Sequence, residues 1–425
     1  RRVFLKRTTA LVGGVALPYF VRPSALGMAG SVAASERITL GMIGTGDHGR
    51  QVNLKTFLTH SDAHVLAVCD VDKAQREIAR KMVDDKYGNK DCAVCNDFRE
   101  VLARADIDAV MISTPDHWHV PIAIAAAKAG KDIECEKPTL TIEEGRRLVE
   151  TMKRYNRVFQ WSTEDRAVDV YHRMCELVRN GRIGKVHTIR VELPSGPDTP
   201  GNPEPMPVPE GFDYDMWLGP APWAPYTKDR CHWNFRWIFD YSGGMITDWG
   251  AHLLDGAQWG NDTERTGPVE VEGKGVFWNE GLFNTAREFR IEYTYADGVK
   301  LIVTSGTPSL RFEGSEGWIG NRGWRAPLQA EPASILTSAI GPDGVRLFTC
   351  PQGEQRNFLD CVKSRQECYF PPEIGQRCFT IAHIGNIAML RGKKLKWDPQ
   401  AERFTNDDQA NRMLGRSMRS PWNLL

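Results

Sequence analysis

Residues 38–70, ITLGMIGTGDHGRQVNLKTFLTHSDAHVLAVCD, leave the chain few ways to fold. An apolar run carried by Ile38, Leu40, Met42 and Ile43 reads as a buried strand, and Gly44-Thr45-Gly46-Asp47-His48-Gly49 follows at once. In G-x-G-x-x-G the first glycine permits a tight strand-to-helix turn and the second lets the backbone approach a pyrophosphate. The third lets the helix pack closely on the sheet. Free N–H groups at the helix start then face the phosphates. A second apolar strand, 65–69, ends in Asp70, where a carboxylate can accept hydrogen bonds from both adenosine ribose hydroxyls. That favours NAD over NADP, with residues 44–49 and Asp70 as cofactor-binding positions.

The alternation of strand and helix continues. A charged helix is expected over 73–87, a buried strand over 109–113, an Ala-rich helix over 122–129 stopped by Gly130, and a short strand over 132–135. Thr114-Pro115-Asp116-His117-Trp118-His119 follows one strand and Glu136-Lys137-Pro138 the other, at the carboxyl ends where such sheets bind ligands. Thr114, Pro115, His119, Glu136 and Lys137 are therefore expected near the cofactor, with His119 approaching the nicotinamide or capping its loop. His117 and His119 lack a third ligand close by, so no metal site is expected. Thr141 with Glu144 three residues on reads as a capping box for a helix over 141–155.

Beyond residue 158 the pattern changes. A helix is expected over 170–180, but 186–193, 269–278, 288–295 and 300–305 read as strands. Phe289, Ile291, Tyr293 and Tyr295 alternate with polar residues, as in a sheet with one buried face. The expected architecture is an α/β Rossmann domain with a parallel sheet, residues 31–160. An α+β domain with a large, mostly antiparallel open sheet follows over 161–425. The Pro- and Gly-rich stretch 194–226 is expected as a long loop near the pocket. Asp248 and His252 are four residues apart, which on a helix places them on one face, where a carboxylate can orient an imidazole. The same spacing also suits a capping Asp and a buried His packed on Trp249 and Trp259.

At 425 residues, with 54 basic and 54 acidic side chains, the chain is long enough for two domains and offers nucleic acid no electrostatic footing. A small-molecule partner is expected, and the 13 Trp suit a pocket for sugars. Arg1-Arg2, an apolar segment over 8–21 and small residues over 25–31 look like a twin-arginine export signal, set at residues 1–30. The expected location is the periplasm or another exported compartment. The apolar segment is too short to span a bilayer. Ten Cys are scattered without regular spacing and read as buried thiols, and Cys92-Ala93-Val94-Cys95 has no second pair to make a zinc site.

The glycine fingerprint, Glu136-Lys137-Pro138 and Asp248-x-x-x-His252 together resemble the Gfo/Idh/MocA oxidoreductases, a family that includes inositol dehydrogenases and glucose-fructose oxidoreductase. Residues 375–397, with His383-Ile384-Gly385-Asn386 and Lys396-Trp397, resemble its exported, Trp-rich branch. The resemblance implies that Lys137 lies between nicotinamide and substrate, holding a developing alkoxide. It further implies that His252 accepts the hydroxyl proton and that Asp248 orients it. Glu136 would fix the lysine or face the cofactor. Gln160-Trp161-Ser162-Thr163-Glu164-Asp165-Arg166 departs from the common family pattern, and Trp161, Arg166 and Arg236 join Lys137, Asp248 and His252 as expected substrate contacts. No Arg cluster for a phosphate is visible, which points to an unphosphorylated sugar, polyol or glycoside. Oxidation of a secondary hydroxyl with tightly bound NAD is the expected activity. The alternatives are redox-neutral glycoside cleavage with recycled NAD and a non-catalytic sugar-binding or sensing protein. A homo-oligomer, dimer or tetramer, is expected through the open sheet.

Overall fold

Six parallel strands direct their carboxyl ends toward the site. In the computed structural model, which describes residues 32–423, they are β1 (Ile38–Ile43), β2 (Ala63–Cys69), β3 (Ala93–Cys95), β4 (Ala109–Ile112), β5 (Asp132–Glu136) and β6 (Phe159–Ser162). Their order is β3-β2-β1-β4-β5-β6, which reverses between β1 and β4 and so opens the crevice in which doubly wound sheets bind ligands. The expected export signal lies outside the described residues. Among the described residues no helix is long and apolar enough to cross a membrane.

Local chemistry sets several boundaries. Thr141 Oγ1 accepts from Glu144 N at 3.2 Å and Glu144 Oε1 from Thr141 N at 3.1 Å, the reciprocal cap expected for helix Ile142–Tyr155. The helix after β4 starts at Asp116, earlier than expected, because Pro115 in extended conformation sets its entry. His117, Trp118 and His119 consequently lie in its buried first turn rather than in a loop. β6 runs through residue 160, the position at which the two domains were divided.

The second sheet has nine strands. They are β7 (Val186–Leu193), β8 (Glu270–Val276), β9 (Glu288–Thr294), β10 (Lys300–Ser305), β11 (Ser309–Gly314), β12 (Gly317–Gly320), β13 (Gln329–Glu331), β14 (Leu395–Asp398) and β15 (Arg403–Phe404). The order is β13-β12-β11-β7-β10-β9-β8-β14-β15. β7 and β10 pair in parallel and the other neighbours antiparallel. Phe289, Ile291 and Tyr293 of β9 point inward, as their alternation requires.

Two C-terminal helices tie the sheets together within the compact body 38–425. Helix Glu354–Ser364 covers one face of the parallel sheet, its Phe358 and Leu359 packing with Leu40, Met42 and Phe57. Under the same helix lies a polar row on one face of β5 and β6. Asp132 is paired with Arg365, Ser162 Oγ donates to Glu354 Oε1 at 2.6 Å, and Gln160 Nε2 donates to the Glu354 carbonyl at 2.9 Å. Glu134 sits in this row fully buried, with no hydrogen bond of good geometry to either carboxyl oxygen. Burial and the Glu136 charge push its pKa well above the usual carboxylate range; burial and Glu134 do the same to Glu354. Helix Pro372–Arg391 packs between the two halves. All ten cysteines are buried free thiols.

Candidate active site

Each glycine of the β1 turn has a physical reason. Gly44 has φ +85°, and a Cβ there would lie 2.5 Å from the Ser113 carbonyl carbon. A Cβ on Gly49 would lie 2.5 Å from the Gly44 oxygen, whereas one on Gly46 would meet nothing within 4 Å. The turn and the helix start are thus closed by contact, and the surface over Gly46 is open for a pyrophosphate, so the cradle fits a dinucleotide. Asp70 sits beside it at the end of β2. Its carboxyl accepts from Thr45 N at 2.6 Å and from Asp72 N at 2.9 Å, with lone pairs left for ribose hydroxyls. Burial raises its pKa against these two backbone donors. The buried Arg50 guanidinium braces the loop, donating to Thr45 O at 2.8 Å and to Asp47 at 2.6 Å.

The carboxyl end of β5 delivers Glu136 and Lys137. Glu136 Oε1 lies 2.8 Å from His48 Nε2 and accepts from Asn53 Nδ2 at 2.9 Å. Burial opposes its charge, yet His48, Lys137 and Asn53 bring its pKa down to about 2. Lys137 Nζ donates to Asp248 Oδ1 at 2.8 Å and to the Asp248 carbonyl at 2.9 Å. That carbonyl is free because the helix is interrupted at Trp249. Helix Met245–Asp248 ends there, helix Gly250–Gly260 begins after it, and His252 N bonds to Trp249 O instead of Asp248 O. Burial works against the ammonium, but Asp248 and Glu136 hold its pKa above that of an ordinary lysine. Arg236 Nε reaches Asp248 Oδ2 at 3.1 Å. Despite burial, Lys137 and Arg236 keep Asp248 ionised well below the usual range.

His252 faces a different carboxylate. Its Nδ1 lies 3.3 Å from Asp165 Oδ2 and 4.0 Å from Glu164 Oε2. Trp324 Nε1 donates to Asp165 Oδ2 at 3.2 Å, and Arg325 Nη2 donates to Asp165 Oδ1 at 2.9 Å and to Glu164 Oε1 at 2.7 Å. Burial disfavours the Asp165 charge, but His252, Arg325 and Trp324 bring its pKa below the usual range. Ligand atoms of Glu164, Asp165 and His252 lie within 4.8 Å of one another, close enough for a metal, yet the Arg325 guanidinium already supplies the positive charge. The Trp249 and Trp324 rings flank His252, each 6.2 Å away. Helix Pro372–Arg391 holds both reacting segments: His383 Nε2 bonds Thr139 O at 2.9 Å, and Asn386 Nδ2 donates to Gly243 O at 2.9 Å.

Family models match both halves of this architecture. Residues 38–163 match the NAD-binding Rossmann fold of the Gfo/Idh/MocA oxidoreductase family, and residues 199–424 match its C-terminal alpha/beta domain. The chain belongs to the Gfo/Idh/MocA oxidoreductase family. Among curated relatives, a D-glucoside 3-dehydrogenase of Escherichia coli K12 is 24% identical over 54% of this chain and 55% of its own length. A glycosyl hydrolase family 109 protein of Saccharopolyspora erythraea is 35% identical over 29% of this chain and 28% of its own. The chain thus spans about half or less of the length of the curated relatives it matches. In fold it is similar to an aldose-aldose oxidoreductase from Caulobacter crescentus, with TM-score 0.62 and 17% identity, covering 85% of this chain and 99% of that one.

Within this Gfo/Idh/MocA site the expected residues divide. Gly44, Thr45, Gly46, Asp47, His48, Gly49, Asp70, Thr114 and Pro115 gather at the carboxyl ends of β1, β2 and β4, and Lys137, Asp248 and Arg236 meet directly. Three expectations are corrected and a fourth is narrowed. Asp248 is engaged by Lys137 and Arg236, so the carboxylate against His252 is Asp165. His119 takes the second of its two expected roles: Nδ1 lies 2.8 Å from Pro138 O and Nε2 2.7 Å from Thr114 O, so it caps its loop and ties it to the next, with no nitrogen left for the nicotinamide. Trp161 is 1% exposed, edge-on to Phe159 and Phe379, and belongs to the core. Arg166 is buried in a bidentate pair with Asp255 at 2.6 and 2.7 Å, so it reaches no substrate. Asp165, Trp324, Arg325 and Asp116 went unread. Asp116 accepts from Ser242 Oγ at 2.6 Å, and burial with the Asp248 charge pushes its pKa up to about 7. Its place in Thr114-Pro115-Asp116, at a strand's carboxyl end, was the available signal.

Proposed function

We propose that this oxidoreductase oxidises a secondary hydroxyl of an unphosphorylated sugar, polyol or glycoside by hydride transfer to NAD. The observation that carries the reading is a charged Lys137 ammonium and a carboxylate-backed His252 supplied by adjoining segments of one site. The similarity to a D-glucoside 3-dehydrogenase supports a glucoside among these substrates. NAD, when bound, supplies the acceptor for the hydride leaving the carbinol carbon. The hydroxyl proton goes to His252 Nε2, while the Asp165 carboxylate, 3.3 Å from the opposite nitrogen, stabilises the imidazolium that forms. Lys137 stays protonated and donates to the oxygen as negative charge develops on it. Trp249 and Trp324 flank His252 and supply aromatic surface for the C–H side of a sugar, one face of Trp324 being taken by the Arg325 guanidinium. Likeness over 29% of the chain to a glycosyl hydrolase family 109 protein favours, as a second reading, oxidation followed by elimination and re-reduction. Export by residues 1–30 and self-association through the nine-stranded sheet belong to the same proposal.

The test is purified protein incubated with NAD and a panel of glycosides and polyols, followed at the nicotinamide absorbance band. Lys137→Ala should lose turnover while keeping NAD binding. Net NADH formation supports the dehydrogenase, and sugar release without net NADH supports the second reading. Full activity of Lys137→Ala would reject both.

A further inference from the structure

The turn that leaves β2 is held from outside the nucleotide-binding domain. Residues 70–73 lead from the Asp70 carboxylate into helix Lys73–Tyr87, and residues 211–213 of the second domain bind along them. Asp213 N donates to Val71 O at 2.9 Å, Lys73 N donates to Gly211 O at 2.9 Å, and Asp72 and Phe212 form an antiparallel bridge. Asn96, just past β3, donates through Nδ2 to Asp213 Oδ2 at 2.8 Å. Arg76 closes the circuit, its Nη1 donating to Asp70 O at 2.9 Å and to Asn96 Oδ1 at 3.1 Å. The segment is anchored on its other side as well. The Phe212 ring packs 6.1 Å from Tyr226 and 5.6 Å from His232, and Asp213 Oδ1 caps helix Tyr214–Leu218 through Met216 N at 3.1 Å.

We propose that residues 211–213 form the outer wall of the adenosine end of the NAD site and act as a strap that slows the dinucleotide's departure. An acidic residue at the end of the second strand marks where the adenosine ribose sits. Asp72 N donates to Asp70 Oδ1 at 2.9 Å while Asp72 itself is bridged to Phe212, so strap and ribose-binding carboxylate are one hydrogen-bonded unit. Residues 71–73 and 96, which the strap holds, stand beside Asp70, and adenosine leaving Asp70 is proposed to pass them. Because the strap continues through Trp217 to Tyr241, whose rings lie 5.0 Å apart, the segment that carries Asp248 shares its anchor.

The test measures NAD dissociation from the holoprotein by dilution into a trap, with no sugar present, so it is independent of the reaction proposed above. Asn96→Ala, which removes one side-chain tie, should speed release severalfold, and Asn96→Ala with Phe212→Ala at least tenfold. Each variant's melting temperature without nucleotide checks that it folds. In the unaltered protein, bound NAD should slow amide exchange at Lys73 and Asp213. Unchanged release from folded Asn96→Ala, or exchange at those amides indifferent to NAD, would overturn the strap. A wild-type protein that binds no NAD would overturn it together with the cofactor assignment.

Discussion

Asp165 keeps its charge in a place where burial alone would remove it, and the side chains responsible are His252, Arg325 and Trp324. If this carboxylate fixes the imidazole, Asp165→Asn should lower kcat by about 100-fold and move the acid limb of the pH–rate profile. Asp248→Asn should instead weaken the lysine's hold and leave that limb in place. The opposite assignment of the two effects would return the orienting role to Asp248. Asp116 gives a second prediction. Its folded pKa of about 7 is raised above the ordinary 3.8, so the folded state binds the extra proton and stability falls as pH rises from about 4 to 7. Asp116→Asn removes the group and should flatten the melting temperature against pH over that window, by a free-energy difference on the order of 4 kcal/mol at its upper end. Equal slopes for both proteins would show that Asp116 ionises normally. The glycines were legible because spacing and neighbouring residues define them, and Lys137 and Asp248 through the resemblance that Glu136-Lys137-Pro138 and Asp248-x-x-x-His252 carry. Asp165 was not, because its partners stand at 252, 324 and 325 and no local pattern joins such positions. Trp161 and Arg166 misled for a related reason: residue type suits a sugar, but strand alternation and the Asp255 pair turn both inward.

At the scale of elements, helix Pro372–Arg391 sets the distance between the two halves of the catalytic apparatus. His383 binds the loop after Lys137 and Asn386 binds the turn before Asp248, so one rigid element indexes both. Asn386→Ala should lower kcat with little change in NAD affinity; an unaltered kcat in a stable variant would deny the helix this role. The helix also passes its neighbours closely. A Cβ at Gly385 would lie 2.2 Å from the Tyr293 hydroxyl oxygen, so Gly385→Ala should cost about 1–3 kcal/mol, read as a lower midpoint in denaturant. Four strands of the parallel sheet were legible because buried strands make continuous apolar runs between helices, whereas β3 and β6, at three and four residues, were not. β11 to β15 were harder to read, since strands as short as Arg403–Phe404 hold too few residues to show alternation.

For the whole molecule, the seam between the parallel sheet and helix Glu354–Ser364 has a thermodynamic signature. Burial pushes both the Glu134 and Glu354 carboxyls well above the usual carboxylate range, reinforced at Glu134 by the Glu136 charge and at Glu354 by Glu134. An unfolded chain at neutral pH would ionise both. Denaturation should therefore liberate hydrogen ions from this pair, and its measured heat should change with the ionisation enthalpy of the buffer. Calorimetry in phosphate and in Tris at one pH reads the total release, the difference from a double Gln variant isolates this pair's share, and no difference would mean that the pair is already ionised when folded. Replacing both residues by Gln should abolish their share of the buffer dependence. Part of the protein's acidity is thus set by its own interior, and it returns to that of an ordinary carboxyl only when the fold is lost.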